Sequence, residues 1–240
     1  MDKQSLYKGL ASYYDLIYSW KDYKKESKKL TQIILKYKKS KGNDLLEVAC
    51  GTGHHLQYFR NRFSCVGIDI NNGMLAIAKN RMPDIRFSNG NMINFRLDRH
   101  FDVITCLFSS IGYVRTYQNL DRTINNLASH LKQGGVVIIE PWLTKSVYKI
   151  GYPYMDTYNG KDLKIARLSV SKVKGNLSII DMNFLVAEKN KEVRYFVDRH
   201  ELGMFGTNET LQILKKANLD AKFLKNGLMK DRGLFIGIKR

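Results

Sequence analysis

The chain has 240 residues, 44% of them hydrophobic and 26% charged, which suits one α/β domain or one domain with a sizeable insertion. It has no apolar run long enough for a transmembrane helix, and its opening, MDKQSLYKGL, lacks the apolar core of a secretory signal. Three scattered cysteines without CxxC spacing, Cys50, Cys65 and Cys106, indicate reduced, buried thiols in a cytoplasmic protein.

The formal net charge of +18 leaves two kinds of partner open. A strongly basic chain can bind nucleic acid, but a small substrate that carries a polyphosphate fits the charge equally well. The densest lysine run, residues 21–41, carries Leu30, Ile33, Ile34 and Tyr37 at helical spacing. This spacing predicts one amphipathic helix with a solvated face.

Short apolar runs alternate with amphipathic stretches up to Trp142. The runs are LLEVAC, SCVGIDI, IRFSN, FDVITCLF and VVIIEPW, and helix patterns lie near residues 54–61, 72–81 and 119–132. The alternation predicts βαβ units around a parallel sheet. We expect Gly134 and Gly135 to close the last of these helices before a buried strand.

Residues 147–205 show no clear helix pattern. The stretches LKIARLSVSKV, LSIIDMNFLVA and VRYFVDRHEL, separated by turn signals at 158–160 and 174–176, predict an antiparallel sheet. We then expect a helix capped by Thr207 or Asn208 and running to about Asn218, followed by strands AKFLK and GLFIGIK. The predicted domains are an α/β domain of residues 1–146 and 206–240 and an inserted antiparallel β-subdomain of residues 147–205.

The stretch LLEVACGTGHHLQYF indicates a site for an adenosine-containing cofactor. Gly51 and Gly53 permit a tight turn and a close approach of backbone to ligand. Asp69, at the end of the second strand, can accept both hydrogens of a ribose diol. A dinucleotide favours a third glycine, but Leu56 stands at that position. S-adenosylmethionine (SAM) carries an ammonium group, for which Glu47, just before the turn, is a suitable acid.

Four motifs in order resemble the class I SAM-dependent methyltransferases. They are Glu47 to Gly53, Asp69, Gly90-Asn91-Met92, and Leu131 to Gly135. The resemblance implies a Rossmann-like sheet and SAM as cofactor, with the antiparallel sheet inserted into that fold.

Further stretches resemble a narrower family, the dTDP-amino-sugar N,N-dimethyltransferases that make desosamine and mycaminose. They are LLEVACGTGHHL, GNMINFRL, FSSIGYV, GGVVIIEPW, ARLSVS and RGLFIG. FSSIGY and RGLFIG carry most of the resemblance, because they are not general methyltransferase motifs. The usual aspartate of the family's G-D-M motif is Asn91 here.

The resemblance implies a set of cofactor contacts. Glu47 would hold the methionine ammonium and Asp69 the ribose diol. Tyr14 and Tyr23 would close over SAM and meet its carboxylate. Met74, Asn91 and Met92 would line the adenine. The other implied cofactor contacts are Ala49, Gly51, Gly53, Ile70 and Leu107.

The resemblance also implies an acceptor site. Tyr7 and Tyr113 would lie nearest the amine as the catalytic pair, and a neutral tyrosine can orient an amine but is a poor base at pH 7. The implied substrate contacts are Ser109, Trp142, Tyr148, Arg167 and Arg232. The two arginines suit phosphate oxygens, and the aromatic rings suit a thymine base. Relatives of this kind also imply a possible homodimer.

Methyl transfer from a sulfonium needs mainly proximity, alignment and exclusion of water, so neither a metal nor an essential base is expected. No histidine lies in an H-E-x-x-H pattern, and we expect all five to be surface or core residues. Three functions remain open: an N-methyltransferase of a nucleotide-linked amino sugar, a methyltransferase of another small molecule, and a nucleic-acid-binding methyltransferase. The chain lacks the N/D-P-P-Y/F motif after strand four that DNA amino-methyltransferases usually carry, which disfavours the third.

Overall fold

The computed structural model of the protein describes residues 11–240, with side chains from residue 13 onward. Within this part, a 3-10 segment spans Ser110–Val114. The α-helices are α1 (Ala11–Ile17), α2 (Tyr23–Tyr37), α3 (Leu56–Phe59), α4 (Asn72–Arg81), α5 (Tyr117–Ser129) and α6 (Thr207–Lys216). None of these helices has the length and apolar character needed to cross a membrane.

The larger sheet has seven strands in the order β10-β11-β5-β4-β1-β2-β3. They are β1 (Asp44–Val48), β2 (Ser64–Asp69), β3 (Arg86–Asn89), β4 (Phe101–Cys106), β5 (Leu131–Ile139), β10 (Leu219–Leu224) and β11 (Leu234–Lys239). Strands β1 to β5 pair in parallel, whereas β11 runs antiparallel to both β5 and β10. The predicted parallel-rich sheet with an α/β fold is confirmed.

The smaller sheet is antiparallel throughout and lies between β5 and α6 in the chain. Its strands, in the order β6-β7-β8-β9, are β6 (Pro153–Asn159), β7 (Leu163–Lys174), β8 (Leu177–Glu188) and β9 (Arg194–Gly203). The inserted antiparallel sheet is therefore confirmed. Strand β6 was not predicted, because it is an exposed strand at the edge of the sheet with little apolar alternation.

Helices cover both faces of the larger sheet. This follows from β1, where consecutive apolar residues point to opposite faces and both are buried. Leu45 packs on one side in a cluster with Leu30 and Ile34 of α2, while Leu46 packs on the other side with Ile124 of α5. Successive strand residues point to opposite faces, so an unbroken apolar strand marks a sheet buried on both sides. The helix predicted within 21–41 is α2, which begins after the Asp22 cap.

Several predicted boundaries are wrong. Helix α5 ends at Ser129 rather than at Gly134 and Gly135, because His130 closes it: its Nδ1 bonds with the Asn126 carbonyl at 2.8 Å, and β5 already begins at Leu131. Gly134 instead has a φ of +73° within β5, where the β4–β5 register shifts.

Helix α6 is capped by neither Thr207 nor Asn208. Its N-cap is Gly206, whose amide donates to the Tyr117 hydroxyl at 2.9 Å, and the helix stops at Lys216. Cys65 is only partly buried, whereas Cys50 and Cys106 are buried thiols as expected.

Candidate active site

A cavity of about 390 Å³ lies where the carboxyl ends of β1 and β4 face the smaller sheet. Its size falls in the roughly 300 to 1,000 Å³ range of small-molecule sites, and ligands of open α/β sheets bind at such strand ends. Twelve of the predicted site residues line it: Tyr14, Tyr23, Glu47, Ala49, Gly51, Leu107, Ser109, Tyr113, Trp142, Tyr148, Arg167 and Arg232.

The two glycines after β1 have different structural roles. A Cβ at Gly51 would meet nothing within 4 Å, whereas one at Gly53 would lie 2.6 Å from Met82 Cε. Both have positive φ, and so does Ala49, at 57°. Gly51 therefore leaves the backbone open toward the cavity, and Gly53 lets the turn pack closely on the end of α4.

Glu47 ends β1 with one carboxylate oxygen engaged and the other open. Its Oε1 lies 3.4 Å from His55 Nδ1, while the buried Oε2 has no hydrogen-bond partner among the described residues. A buried, unsatisfied carboxylate oxygen is costly unless a ligand completes it. The oxygen at this cavity wall therefore fits the ammonium group of SAM.

His55 is held between two carboxylates. Its Nε2 lies 3.0 Å from Glu26 Oε2, and Glu26 in turn pairs with Lys21. Burial alone would lower the pKa of His55, but its bonds with Glu26 and Glu47 raise that pKa to about 9. His55 is therefore an imidazolium at neutral pH, and its Nδ1 orients the Glu47 carboxylate.

Helix α1 is tied onto the glycine turn through Asp15. Asp15 Oδ1 accepts from Thr52 Oγ1 at 2.7 Å and lies 3.0 Å from His54 Nε2, and Arg81 of α4 pairs with the same carboxylate. Burial opposes ionisation, but these bonds lower the pKa of Asp15 to about 2. The clamp brings Tyr14 of α1 to the cavity wall.

Asp69 is buried at the end of β2. It accepts from the amides of Gly51 and Asn71, each at 2.8 Å. Burial raises the pKa of Asp69, and these backbone bonds oppose the rise. Each carboxylate oxygen has two acceptor sites, so each can also accept a hydrogen bond from a ribose hydroxyl.

The residues predicted for the adenine lie outside the cavity, around the ends of β2 and β3. Ile70 is 65% exposed and Met74 is buried. The Oδ1 of Asn91 accepts from the Ile93 amide at 3.0 Å, and Met92 packs against the core. An adenosine group would therefore extend from the cavity along this sheet edge.

The segment after β4 forms another wall of the cavity. Phe108 and Ser109 have left-handed φ values of 50° and 62°, and the Phe108 amide donates to the fully buried Glu140 at 2.7 Å. Ser109 Oγ accepts from Arg232 Nη1 at 2.9 Å. The Arg232 guanidinium also stacks on Trp142, 4.8 Å from the ring centroid.

Arg167 lines the cavity from β7 but already has partners. It pairs with Asp156 and donates to the Tyr18 hydroxyl at 2.7 Å. Because Asp156 compensates its charge, Arg167 is less available to a phosphate than sequence alone implied. Arg232 has no carboxylate within salt-bridge distance in the described part of the chain, so it is the stronger candidate for an anion.

Tyr113, predicted beside the amine, is linked to two residues that were not predicted. Its hydroxyl lies 2.6 Å from His200 Nδ1, and His200 Nε2 lies 2.8 Å from Asp198 Oδ2. Both β9 side chains are buried, and His200 lines the cavity. Tyr7, the other predicted catalytic residue, lies outside the described residues.

The expectation of surface or core histidines did not include the finding that three of the five line the cavity. His54, His55 and His200 line the cavity. The first two directly follow the glycine turn, and the Asp-x-His spacing of 198–200 places both side chains on one face of a strand. Both signals were present in the sequence. Among the described residues, no cluster of three or more histidine, cysteine or acidic side chains is arranged to hold a metal ion.

Residues 45–135 match the family described as the methyltransferase domain. The open carboxylate of Glu47, the glycine turn and this match define the class: the protein is a class I SAM-dependent methyltransferase. Beyond the matched region, relatives cover almost the entire chain.

The chain is 35% identical to the dTDP-3-amino-3,4,6-trideoxy-alpha-D-glucopyranose N,N-dimethyltransferase of Streptomyces venezuelae, over 95% of this chain and 97% of that relative. It is 33% identical to the dTDP-3-amino-3,6-dideoxy-alpha-D-glucopyranose N,N-dimethyltransferase of Streptomyces fradiae, over 98% and 93%. The chain belongs to this family of sugar N,N-dimethyltransferases.

Solved structures agree with this assignment. The crystal structure of DesVI from Streptomyces venezuelae matches with a TM-score of 0.90 at 34% identity, covering 96% of this chain and 98% of that one. SAM-bound CalS10, an amino pentose methyltransferase from Micromonospora echinaspora, matches with a TM-score of 0.83 at 29% identity, covering 92% of each chain.

Proposed function

We propose that the protein transfers methyl groups from SAM to the amino group of a dTDP-linked amino sugar. The observation that carries this proposal is one cavity with an open carboxylate, Glu47, on one wall and the half-buried guanidinium of Arg232 on another. The carboxylate suits the ammonium end of the methyl donor, and the guanidinium suits a pyrophosphate.

The two parts of the chain would divide this work. Residues 1–146 and 206–240 would hold the donor, with Glu47 at the ammonium, Asp69 at the ribose diol and Asn91 with Met92 near the adenine. The inserted residues 147–205 would form the wall against which the acceptor lies. Trp142, whose Nε1 donates to Ser178 Oγ at 2.8 Å, would present its ring to the sugar nucleotide.

The chain's own residues mainly position and shield the reactants. Bound SAM supplies a methyl group already activated on a sulfonium. The aromatic rings of Tyr14, Tyr18 and Tyr23 line the cavity, and burial raises the pKa of Tyr14 and of Tyr23, so these phenols stay neutral donors. Holding the amine in line with the methyl group would provide most of the rate gain.

Mass spectrometry of a panel of dTDP-amino-sugars incubated with enzyme and SAM tests this proposal. The expected result is a product heavier by one and then two methyl groups. If no sugar changes while another small amine does, the second function, a methyltransferase of another small molecule, replaces the first. A gel-shift at physiological salt addresses the third: we expect no tight binding of DNA or RNA, since the cavity is small and walled by the inserted sheet.

We propose further that the protein is cytoplasmic and forms a homodimer through the outer face of the smaller sheet. This face exposes large apolar side chains on all four of its strands: Met155, Leu168, Val170, Leu185 and Tyr195. Leu185 pairs with Tyr195 across β8 and β9. Contiguous exposed apolar surface usually marks an interface. Light scattering should give a dimer for the native chain and a monomer for Leu185→Glu; a native monomer would contradict this.

A further inference from the structure

We propose that Tyr113, His200 and Asp198 form a proton relay that takes up the proton released by the acceptor amine between the two methyl transfers. This inference rests on the proposed function, because it needs an amine in the cavity. Tyr113 would be the catalytic residue that touches the amine. His200 and Asp198 act through it as positioning residues.

The relay has one direction when Asp198 is a carboxylate and His200 is a neutral imidazole. As a carboxylate, Asp198 can only accept, so the His200 Nε2 that lies 2.8 Å from it carries a proton. In a neutral imidazole the other nitrogen is then an acceptor. His200 Nδ1 therefore accepts the Tyr113 O–H at 2.6 Å, and the phenol oxygen keeps the capacity to accept a proton from the cavity.

The fold holds this alignment closely. Tyr113 comes from the 3-10 segment after β4, and the two other residues come from β9. A Cβ at Gly112 would lie 2.9 Å from Leu202 Cδ2, so glycine allows the 3-10 segment to approach β9. Within the described part of the chain, Asp198 contacts His200 from its own strand and Tyr113 contacts it from the 3-10 segment, and β8 places apolar Ile180 at the paired position.

Double methylation requires that the nitrogen lose a proton between the two transfers, and the relay would take up that proton. In the first transfer, the neutral amine gives its lone pair to the methyl carbon. The carbon–sulfur bond breaks, its electron pair passes to sulfur, and the nitrogen becomes a methylammonium. A second transfer needs the nitrogen lone pair again. The ammonium proton passes to the Tyr113 oxygen as the phenol proton passes to His200 Nδ1, and Asp198 stabilises the resulting imidazolium until water takes the proton.

The relay predicts that its loss affects the second transfer most. The first methyl group can enter an amine that arrives neutral from solvent. The second must wait until the methylammonium loses its proton within the cavity. A variant without the relay should therefore release monomethylated sugar.

The test compares native enzyme with His200→Gln and Tyr113→Phe on an unmethylated amino sugar and follows the mono- and dimethylated products. The monomethylated sugar supplied from solution can enter neutral, so its methylation should be affected less. Loss of a general base typically costs at least 100-fold; since solvent can partly substitute, we expect kcat for the second transfer to fall roughly 10- to 100-fold near neutral pH. KM should stay within about threefold of the native value, and a higher pH should restore the second transfer, because solvent then removes the proton. The matched controls are His100→Gln, at an exposed histidine, and Tyr117→Phe, whose hydroxyl bonds with Gly206 outside the cavity.

If native enzyme methylates the sugar, either of two results would overturn the relay and leave the proposed function standing. One is a native rate and native dimethyl product from both variants. The other is an equal loss of both transfers with a raised KM and no recovery at high pH, which would mark a purely structural role. If His200→Gln fails to fold, Tyr113→Phe decides by itself, since it removes only the hydroxyl. Native enzyme that methylates no amine at all would overturn the proposed function and the relay together.

Discussion

Glu47 and His55 form a buried ion pair at the wall of the cavity, with Glu47 Oε1 3.4 Å from His55 Nδ1. The pair holds one oxygen of the carboxylate and leaves Oε2 without a protein partner among the described residues. Burial alone would lower the pKa of His55, but its bonds with Glu26 and Glu47 raise that pKa, so the partner of Glu47 is a cation at neutral pH. This arrangement ties the charge of the cofactor site to the protonation of a histidine.

Glu47→Gln should weaken binding of SAM and of S-adenosylhomocysteine. The change removes a charged acceptor for the ammonium group, and a hydrogen bond to a charged group contributes about 1.5 to 3 kcal/mol, or roughly 10- to 100-fold in Kd. Isothermal titration measures the effect, and Asp98→Asn, at an exposed acid, is the matched control. Native affinity in Glu47→Gln would contradict this role.

Asp69→Ala should weaken binding of the adenosine half of the cofactor. Titration with adenosine alone separates the two acids: Asp69→Ala should weaken adenosine and S-adenosylhomocysteine by roughly tenfold or more, whereas Glu47→Gln should leave adenosine binding unchanged. The Asp69 carboxylate also accepts from the Gly51 amide at 2.8 Å, so Asp69→Asn, which keeps an acceptor, should lose less. An equal loss of adenosine binding in Glu47→Gln would disprove the assignment.

His55→Gln should destabilise the fold in a pH-dependent way. The pKa of His55 is raised from 6.5 to about 9 in the folded state. Its stabilising contribution is therefore fully present below pH 6.5 and is lost as the pH rises through about 9. The native chain should exceed His55→Gln by on the order of 2 kcal/mol in free energy of unfolding at about pH 6, and by less at about pH 10.

Urea unfolding at both pH values checks this, and His130→Gln is the control. Burial lowers the pKa of His130, so its contribution is lost only as the pH falls below about 6.5. The gap between the native chain and His130→Gln should not shrink on going from neutral to alkaline pH. A gap for His55→Gln that stays constant or widens over that interval would show that His55 is not an imidazolium.

Arg232→Gln should weaken binding of dTDP by roughly 10- to 100-fold and leave binding of S-adenosylhomocysteine unchanged. Arg232 lines the cavity beside Ser109 and Trp142, and its guanidinium fork can meet two phosphate oxygens at once. Competition binding with dTDP measures the effect. Arg122→Gln, at an exposed position on α5, should leave both affinities unchanged, and equal weakening of the two ligands by Arg232→Gln would refute a specific phosphate role.

Local patterns in the sequence predicted most of the larger sheet. The unbroken apolar runs of β1, β2, β4 and β5 follow from burial on both faces, and the turn from Ala49 to Gly53 follows from its glycines. The end of α5 was missed because the signal sought was a glycine, whereas the His130 side chain supplies the closing bond. Edge strand β6 was missed because its side chains are largely exposed.

Relations between neighbouring residues of the site could be predicted from the sequence, whereas contacts between distant parts of the chain could not. Glu47, Gly51 and Gly53 lie within one turn, so their relation is local. The Tyr113–His200 contact joins residues 87 positions apart and depends on how the smaller sheet packs on the larger one. Arg167 was predicted from the family resemblance. Its pairing with Asp156 of the neighbouring strand depends on the β6–β7 register, and β6 was not predicted.

The central claim is that the acceptor is recognised through its nucleotide. The most direct measurement is kcat/KM for methylation of one amino sugar presented in two forms, linked to dTDP and free, at saturating SAM. Binding energy from the nucleotide should serve the transfer at the amine, so kcat/KM should be at least about 100-fold higher for the linked sugar. Equal values for the two forms, or methylation of neither while SAM binds, would contradict it.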